Sequence, residues 1–332
     1  MHKKTLWSLF AILLLSALVV AGCTGGEPTP DPEVPPTPMP EGSGQTLKMA
    51  LLPVMDVLPF HVAEQNGYFE QVGIEVELVP VKSAQERDTL MQTGQVDGML
   101  TDLLSPVFFN QDEQQIVVVR TARRVFPDSP LFSILAKPGS DVQSPMDLAS
   151  LEIGISQNTV IEYLTDRMLE NAGLTPDQIA VSEVSAIPVR FELLMNGEIP
   201  AATLPDPLTS GAIAAGAVLV VDDTSVPELS QSILAFSTGI VEDQPDAVRK
   251  FLEAWEMAVA ELNAKPDSYR DLLIEKGRVP ESIQGTFQMP PFPEASVPTE
   301  EQLADVVAWA LEKGLVTDEV PYERMVDDSY LP

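Results

Sequence analysis

The sequence predicts an α/β protein whose sheets are largely parallel. Short apolar, β-branched runs alternate with segments whose apolar residues recur at helical spacing, and this alternation is typical of parallel sheets. A weak internal repeat is a second indication, because residues 90–98 (LMQTGQVDG) align with residues 193–201 (LLMNGEIPA). Each copy predicts the end of a helix, a glycine and a short strand. One copy lies in each half of the chain, which indicates two similar α/β units.

The first unit is predicted to alternate strands over 47–54, 74–81, 96–101 and 116–121 with helices over 59–65 and 83–93. The first helix ends at Asn66-Gly67, a pair that suits a left-handed C-cap. Ser83 and Glu86 have the spacing of a capping box, which predicts the start of the second helix. Gly94 is expected to end it.

The second unit is predicted to contain strands over 131–137, 151–155, 179–184, 199–204 and 218–221, with helices over 159–172 and 189–196. Thr159 and Glu162 form a second possible capping box. Thr175 followed by Pro176 suggests another helix start, since proline is favoured at the first helical position.

Two longer helices are expected near the C-terminus. Residues 246–263 place apolar side chains, including Trp255, on one helical stripe. A capping box at Thr299 and Gln302 predicts another helix that carries Trp309 and ends at Lys313-Gly314. Both tryptophans are expected to pack in the core rather than to bind a ligand.

The N-terminus has the order of a secretory signal: a basic start, an apolar run over residues 6–21, and small residues before Cys23, the only cysteine in the chain. Small residues directly before a lone cysteine resemble the lipobox of bacterial lipoproteins. That resemblance implies cleavage of residues 1–22 and a lipid thioether on Cys23. An uncleaved transmembrane anchor is the alternative, because the run approaches the roughly 20 residues that span a bilayer.

Composition limits the remaining choices. Residues 23–45 are rich in proline, threonine and acidic residues, so we expect a disordered, extended linker after the lipidated cysteine. The 332 residues contain 50 acidic and 19 basic residues, a formal net charge of −31. A surface this acidic repels nucleic acid, which excludes that class of partner.

Several short motifs occur in the order found in one transporter family. They are residues 59–76 (PFHVAEQNGYFEQVGIEV), 90–98, 144–155 (SPMDLASLEIGI), 197–207 (GEIPAATLPDP) and 309–315 (WALEKGL). Together they resemble the substrate-binding proteins of ABC importers, in the group that takes nitrate, sulfonates and thiamine precursors. Pro200 stands where this group usually carries Asp, and Asp206-Pro207 stands where it often carries Glu-Pro.

The resemblance implies a two-lobed type II periplasmic-binding fold with a cleft between the lobes and C-terminal helices packed on the first lobe. Lobe I would comprise residues 46–129 plus 231–332, and lobe II residues 130–230. Crossovers are expected near residues 124–131 and 229–235. The implied function is an extracytoplasmic, lipid-anchored, monomeric protein that closes around a small nutrient, needs no cofactor, and delivers the nutrient to an ABC permease.

Ligand would lie at the carboxyl ends of the strands, where open α/β sheets usually bind. The candidate ligand-binding residues are Met55, Asp56, Phe60, His61, Ser83, Thr101, Asp102, Ser156, Asn158, Thr159, Arg190 and Asp206. Plainer roles compete for several of them. Ser83 and Thr159 suit helix capping, Arg190 suits a surface ion pair, and His61 suits packing.

The charge of the ligand stays open at this stage. An oxyanion would bind to Arg190, Lys82 and helix N-termini. A neutral or amine-bearing heterocycle would instead need carboxylates and an aromatic face such as Phe60. Three candidate acids against two bases favour a heterocycle such as a thiamine pyrimidine precursor. Two other functions are alternatives: a tethered sensor, and a pyrimidine-synthesising enzyme like some relatives of the fold. We expect no enzyme, because the chain after residue 23 has one histidine and no free cysteine for nucleophilic catalysis or a metal site.

Overall fold

A computed structural model describes residues 46–332, which form two five-stranded sheets. The predicted signal peptide, Cys23 and proline-rich linker lie outside the described residues. The first sheet contains β1 (Thr46–Leu51), β2 (Glu75–Pro80), β3 (Gly98–Asp102), β4 (Ile116–Arg124) and β10 (Gln231–Ser237). The second contains β5 (Phe132–Ala136), β6 (Glu152–Ile155), β7 (Ala180–Glu183), β8 (Ala201–Pro205) and β9 (Val218–Asp222).

Both sheets have the same topology. The strand orders are β2-β1-β3-β10-β4 and β7-β6-β8-β5-β9. In each sheet four strands run in one direction, while β10 or β5 runs antiparallel to both of its neighbours. The internal repeat is confirmed, because β3 and β8 occupy equivalent positions and each begins four residues after a left-handed glycine, Gly94 or Gly197.

Two connections join the first sheet to the second. Residues 125–131 link β4 to β5, as the sequence predicts, and residues 223–230 link β9 to β10. The second predicted crossover, residues 229–235, is therefore misplaced by several residues. Its apolar part from Gln231 onward forms β10, which pairs with β3 and β4 in the interior of the first sheet.

Helices cover the sheets. They are α1 (Leu58–Gln65), α2 (Tyr68–Val72), α3 (Ala84–Gln92), α4 (Leu104–Phe109), α5 (Val160–Asn171), α6 (Ile187–Met195), α7 (Leu208–Ala214), α8 (Thr238–Asp243), α9 (Pro245–Ala264), α10 (Arg270–Lys276), α11 (Glu300–Glu312) and α12 (Tyr322–Met325). Sequence analysis missed six of these helices: α2, α4, α7, α8, α10 and α12. They are one or two turns long, and α4 is buried at five of its six positions, so it shows no amphipathic period. Within residues 46–332, no helix is both long and apolar enough to cross a membrane.

The N-terminal caps only partly match the predicted capping boxes. Thr299 and Gln302 form the complete box at α11. At α3 and α5 the caps Ser83 and Thr159 accept backbone N–H groups as expected, but the following glutamates do not bond the cap amide. Glu86 instead accepts a hydrogen bond from the backbone N–H of Lys82 at 2.8 Å, and Glu162 accepts one from the backbone N–H of Asn158 at 2.7 Å.

The two predicted core tryptophans are confirmed. Trp255 on α9 is fully buried against Phe60 and Phe251 in the core of the first sheet. Trp309 on α11 is 1% exposed in a second core. That core includes residues of α4 beside the first sheet and of α5 beside the second, so α11 packs against both halves. The indole Nε1 of Trp309 donates to Asp166 on α5 at 2.9 Å.

Candidate functional site

A cavity opens between the carboxyl ends of the two sets of strands. Its empty space measures about 730 Å³, including the part open to solvent. The segments after β1 and β2 and the end of β3 form one wall, and the segments after β6, β7 and β8 form the other. The repeated topology thus brings equivalent strand ends to face each other, which is where open α/β sheets bind ligands.

Seven of the twelve predicted binding residues line this cavity: Asp56, Ser83, Thr101, Asp102, Ser156, Thr159 and Asp206. The first four come from the first-sheet wall and the other three from the second-sheet wall. Their role in binding remains a prediction. The expectation that ligand-binding residues lie at the carboxyl ends of parallel strands, here called the strand-end rule, correctly places these seven residues around one cavity.

The other five predicted residues do not line the cavity. Met55 and Phe60 are fully buried in the first core, where the Phe60 ring packs edge-on to Trp255. Phe60 therefore offers no aromatic face to a ligand in the cavity. His61, also in α1, lines a separate pocket together with Lys276. Burial lowers the pKa of His61.

Asn158 and Arg190 lie close to the cavity without facing it. Asn158 is exposed in a neighbouring groove. Arg190 is completely buried: its Nε donates to the carbonyl of Thr203 at 2.9 Å, and its Nη1 donates to Ser156 Oγ at 2.9 Å and to the carbonyl of Val184. Burial lowers the pKa of Arg190 to about 10. These bonds tie Arg190 to the wall that carries Ser156, and its Nη2 is buried without a hydrogen-bond partner among the described residues.

Arg123, at the end of β4, is an ionic residue of the cavity that sequence analysis missed. It is 2% exposed, and its Nη1 donates to Asp56 Oδ1 at 3.1 Å. Its Nε is buried without an acceptor among the described residues. The same strand-end rule finds Arg123 when β4 is extended to its full length, since the predicted strand stopped at residue 121.

Arg87 and Asp102 form a second ionic group in the first-sheet wall. Arg87 Nη1 lies 3.4 Å from Asp102 Oδ2, its Nη2 donates to Ser105 at 2.9 Å, and its Nε donates to Asp88 at 2.8 Å. Burial raises the pKa of Asp102, and the positive charge of Arg87 opposes that rise. Arg87 thus already has carboxylate partners on two of its nitrogens.

Asp206 follows β8 and has a different environment. Its Oδ1 accepts the backbone N–H and the hydroxyl of Ser210 at 3.1 and 2.6 Å. Across residues 46–332, its Oδ2 has no hydrogen-bond donor and the carboxylate has no salt-bridge partner. Burial raises the pKa of Asp206, a rise that Ser210 and the charge of Arg123 oppose. One oxygen of a desolvated carboxylate therefore remains available to a donor in the cavity.

Three helix N-termini also border the cavity, those of α3, α5 and α6. A helix N-terminus attracts anions because of its unpaired N–H groups and positive dipole end. Here the chain supplies its own negative charge, because Glu86 and Glu162 each accept the amide just before the cap. The N-termini of α3 and α5 are thus partly neutralised, whereas the first turn of α6 carries no acidic residue.

Three further lining residues come from positions that the strand-end rule overlooks. Gln231 and Ser232 enter at the start of β10, and Phe132 at the start of β5. These antiparallel strands enter the cavity with their amino ends, so only knowledge of the topology reveals them. Phe132 is the aromatic ring among the lining residues that the structure describes. No cluster of metal-ligating side chains occurs in residues 46–332.

Comparison with known proteins adds the family. The model named "NMT1/THI5 like" matches residues 54–269. The chain belongs to the NMT1/THI5-like family. Among its relatives, it is 25% identical over 295 residues to the riboflavin-binding protein RibY of Chloroflexus aurantiacus, covering 83% of this chain and 79% of RibY. It is 27% identical over 124 residues to the formylaminopyrimidine-binding protein of Halalkalibacterium halodurans, covering 37% and 36% of the two chains.

Similar solved structures identify the fold. The aliphatic sulphonate-binding protein SsuA of Escherichia coli superposes with a TM-score of 0.71 at 17% identity, covering 86% of this chain and 92% of SsuA. The nitrate-binding protein NrtA of Synechocystis superposes with a TM-score of 0.68 at 12% identity, covering 87% of each chain. The predicted type II periplasmic-binding fold is confirmed, and at these identities the likeness concerns the fold alone.

Proposed function

We propose that this protein is the solute-binding component of an ABC importer, which captures a small nutrient in the cavity and hands it to a permease. The observation that carries the proposal is the cavity itself. Equivalent strand ends of two sheets line it from opposite sides, and two short connections join those sheets. This arrangement suits hinge closure around a ligand.

The two sheets with their helices would be the two lobes, 46–129 plus 231–332 and 130–230. Both boundaries fall within the two connections, 125–131 and 223–230. A rotation about these connections would move Asp206 and Ser156 relative to Asp56 and Asp102. Closure would then remove the ligand from water and strengthen its polar contacts.

The charges of the cavity favour a ligand that donates N–H groups over an oxyanion. Arg87 and Arg123 are already paired with carboxylates, and Glu86 and Glu162 bring negative charge to the N-termini of α3 and α5, where they accept the amides of Lys82 and Asn158 before the caps. An anion would have to compete with these internal partners. The Oδ2 of Asp206 instead lacks a donor among the described residues, which suits an N–H donor.

The nutrient would therefore be a neutral or amine-bearing heterocycle. Phe132 supplies an apolar face beside the polar groups. The names of two relatives, a riboflavin-binding and a formylaminopyrimidine-binding protein, fit this class, since both compounds are heterocycles with N–H groups. We propose binding and release without chemical conversion.

The location follows from the N-terminal sequence. We propose export, cleavage before Cys23, lipidation of that cysteine and a monomeric state, with the acidic linker holding the binding domain away from the membrane. The permease would be the membrane partner.

A thermal-shift screen of the full chain in detergent tests the proposal. The panel contains riboflavin, formylaminopyrimidine, nitrate and an alkanesulfonate. We expect stabilisation by at least one heterocycle and none by the two anions. A shift seen only with nitrate or the sulfonate would contradict the proposed ligand class, and no shift with any compound would contradict the proposed function.

Asp206→Asn gives the residue-level test. The substitution keeps the Oδ1 acceptor for Ser210 but replaces Oδ2 by an N–H donor. A hydrogen bond to a charged group contributes about 1.5–3 kcal/mol, so heterocycle affinity should fall about 10- to 100-fold. The control is Asp177→Asn, which removes an equal charge from an exposed position outside the cavity. Equal affinities of the Asp206 variant and the wild type would exclude the assigned contact.

A further inference from the structure

A tight contact joins the two halves beside the cavity. Gly211 lies in the middle of α7, which begins just after Asp206 and packs on β8 of the second sheet. It faces Pro280 of the segment after α10. A Cβ atom built on Gly211 would lie 2.6 Å from Pro280 Cγ and 3.0 Å from Pro280 Cβ. Only glycine fits this position as the two halves now stand.

The segment that carries Pro280 is anchored to the first half. Val279 and Ile283, on either side of Pro280, are 4% and 6% exposed in the first core. The Val279 amide donates to the carbonyl of Ile274 at 3.2 Å, and its own carbonyl accepts Gln284 Nε2 at 3.1 Å. Pro280 therefore has little freedom to retreat from α7.

The same segment also touches the first wall of the cavity. A Cβ on Gly277 would lie 3.4 Å from Met55 Cγ, and Met55 directly precedes the cavity residue Asp56. Residues 277–283 thus extend from behind Asp56 to the helix that follows Asp206. These residues connect the two walls by packing, and Pro280 contacts the second half at Gly211.

A glycine inside a helix costs about 1 kcal/mol relative to alanine. In α7 the close approach of Pro280 explains the glycine. Gly239 in α8 offers the contrast, since no heavy atom lies within 4 Å of a Cβ built there. The two positions therefore differ in steric surroundings while sharing a helical backbone.

We propose that residues 277–283 form a closure clasp: Pro280 seats on Gly211 in the resting arrangement of the two halves, which is the one that the structure shows, and separates from it when the cavity opens to admit or release ligand. This inference rests on the proposed solute-binding function. The Pro280 side chain has no hydrogen-bonding atom, so the clasp depends on van der Waals contact alone. It can therefore form and separate without breaking polar contacts. A side chain at position 211 would hold the halves apart at this point.

Hydrogen-exchange mass spectrometry of the full chain without ligand tests the clasp. Four proteins are compared: wild type, Gly211→Ala, the double variant with Pro280→Ala, and Gly239→Ala. We expect Gly211→Ala to exchange about tenfold faster in residues 208–215 and 277–285, with β1 and β3 unchanged. The double variant should fall between Gly211→Ala and the wild type, because it removes the 2.6 Å contact, and Gly239→Ala should match the wild type at both segments.

Two results would overturn the clasp. One is wild-type exchange in both segments of Gly211→Ala. The other is faster exchange throughout both sheets, which would mean that Gly211 only supports the fold.

Binding gives a second readout. If closure falls to a tenth of its wild-type population, apparent affinity falls about tenfold. We expect this loss in a riboflavin or formylaminopyrimidine titration of Gly211→Ala and no loss in Gly239→Ala; unchanged affinity of Gly211→Ala would refute the clasp. If the wild type binds neither compound, the proposed function fails, while the exchange experiment, which uses no ligand, still decides on the clasp.

Discussion

Asp223 ties the two connections between the sheets together, which makes their stability sensitive to pH. It begins the second connection and is fully buried. Its carboxylate accepts the amide of Leu131 at 3.1 Å, the amide of Phe132 at 2.9 Å and the hydroxyl of Ser230 at 2.5 Å. Burial raises the pKa of Asp223 to about 6, with these hydrogen bonds opposing the rise.

The sign of the effect follows from proton binding. The unfolded chain releases this proton near pH 3.9, whereas the folded chain holds it to about pH 6. Between these values the folded state binds more protons, so the free energy of unfolding falls as the pH rises. Two pKa units correspond to about 3 kcal/mol, of which about 2 kcal/mol are lost between pH 4.5 and 7.5.

The assay is urea unfolding of wild type and Asp223→Asn at several pH values in that range, followed by tryptophan fluorescence. The two proteins share every other titrating group, so their difference isolates Asp223. The wild type should lose about 2 kcal/mol relative to the variant from pH 4.5 to 7.5. Ser230→Ala, which removes one hydrogen bond to the carboxylate, should extend the loss to higher pH. A difference between wild type and Asp223→Asn that stays constant with pH would refute the reasoning.

Three further outcomes are expected. Phe60→Ala deletes a fully buried ring and should lower the free energy of unfolding by about 3–5 kcal/mol in urea without changing ligand affinity; weakened binding with normal stability would restore Phe60 as a ligand contact. Trp309→Phe leaves the buried Asp166 without its indole donor and should cost about 1–3 kcal/mol in the same assay, whereas a neutral effect would exclude a structural role for that bond. Cys23→Ser should abolish attachment of the lipid, seen as loss of the lipid mass from the intact protein, whereas a mass that differs from the wild type by the substitution alone would contradict lipidation at this cysteine.

The order of strands and helices could be predicted because each local signal agrees with the final fold. Gly94 and Gly197 end helices in left-handed conformations as expected, and Trp255 and Trp309 lie in cores as their helical stripes indicate. The missed helix α4 is short and buried on nearly all sides, so its sequence carries no period to detect.

The cavity could be predicted only in part. The strand-end rule succeeds for Asp56, Asp102 and Asp206, which follow or end parallel strands. It fails for Gln231 and Phe132, because antiparallel strands bring their amino ends to the same place and their pairing depends on contacts remote in sequence. Side-chain direction is the other missing information.

Phe60 and Arg190 illustrate that second limit. Both follow the predicted order of elements, yet their side chains turn into the core and the wall rather than the cavity. Local sequence fixes the position of such a residue along an element, whereas packing against α9 or β8 decides where its side chain points.

A crystal structure of the protein with riboflavin or formylaminopyrimidine would test the central claim most directly. Bound ligand is expected in the cavity between Asp56 and Asp206, with one of its N–H groups within about 3.2 Å of Asp206 Oδ2. Ligand found outside this cavity, for instance in the pocket beside His61, would contradict the account.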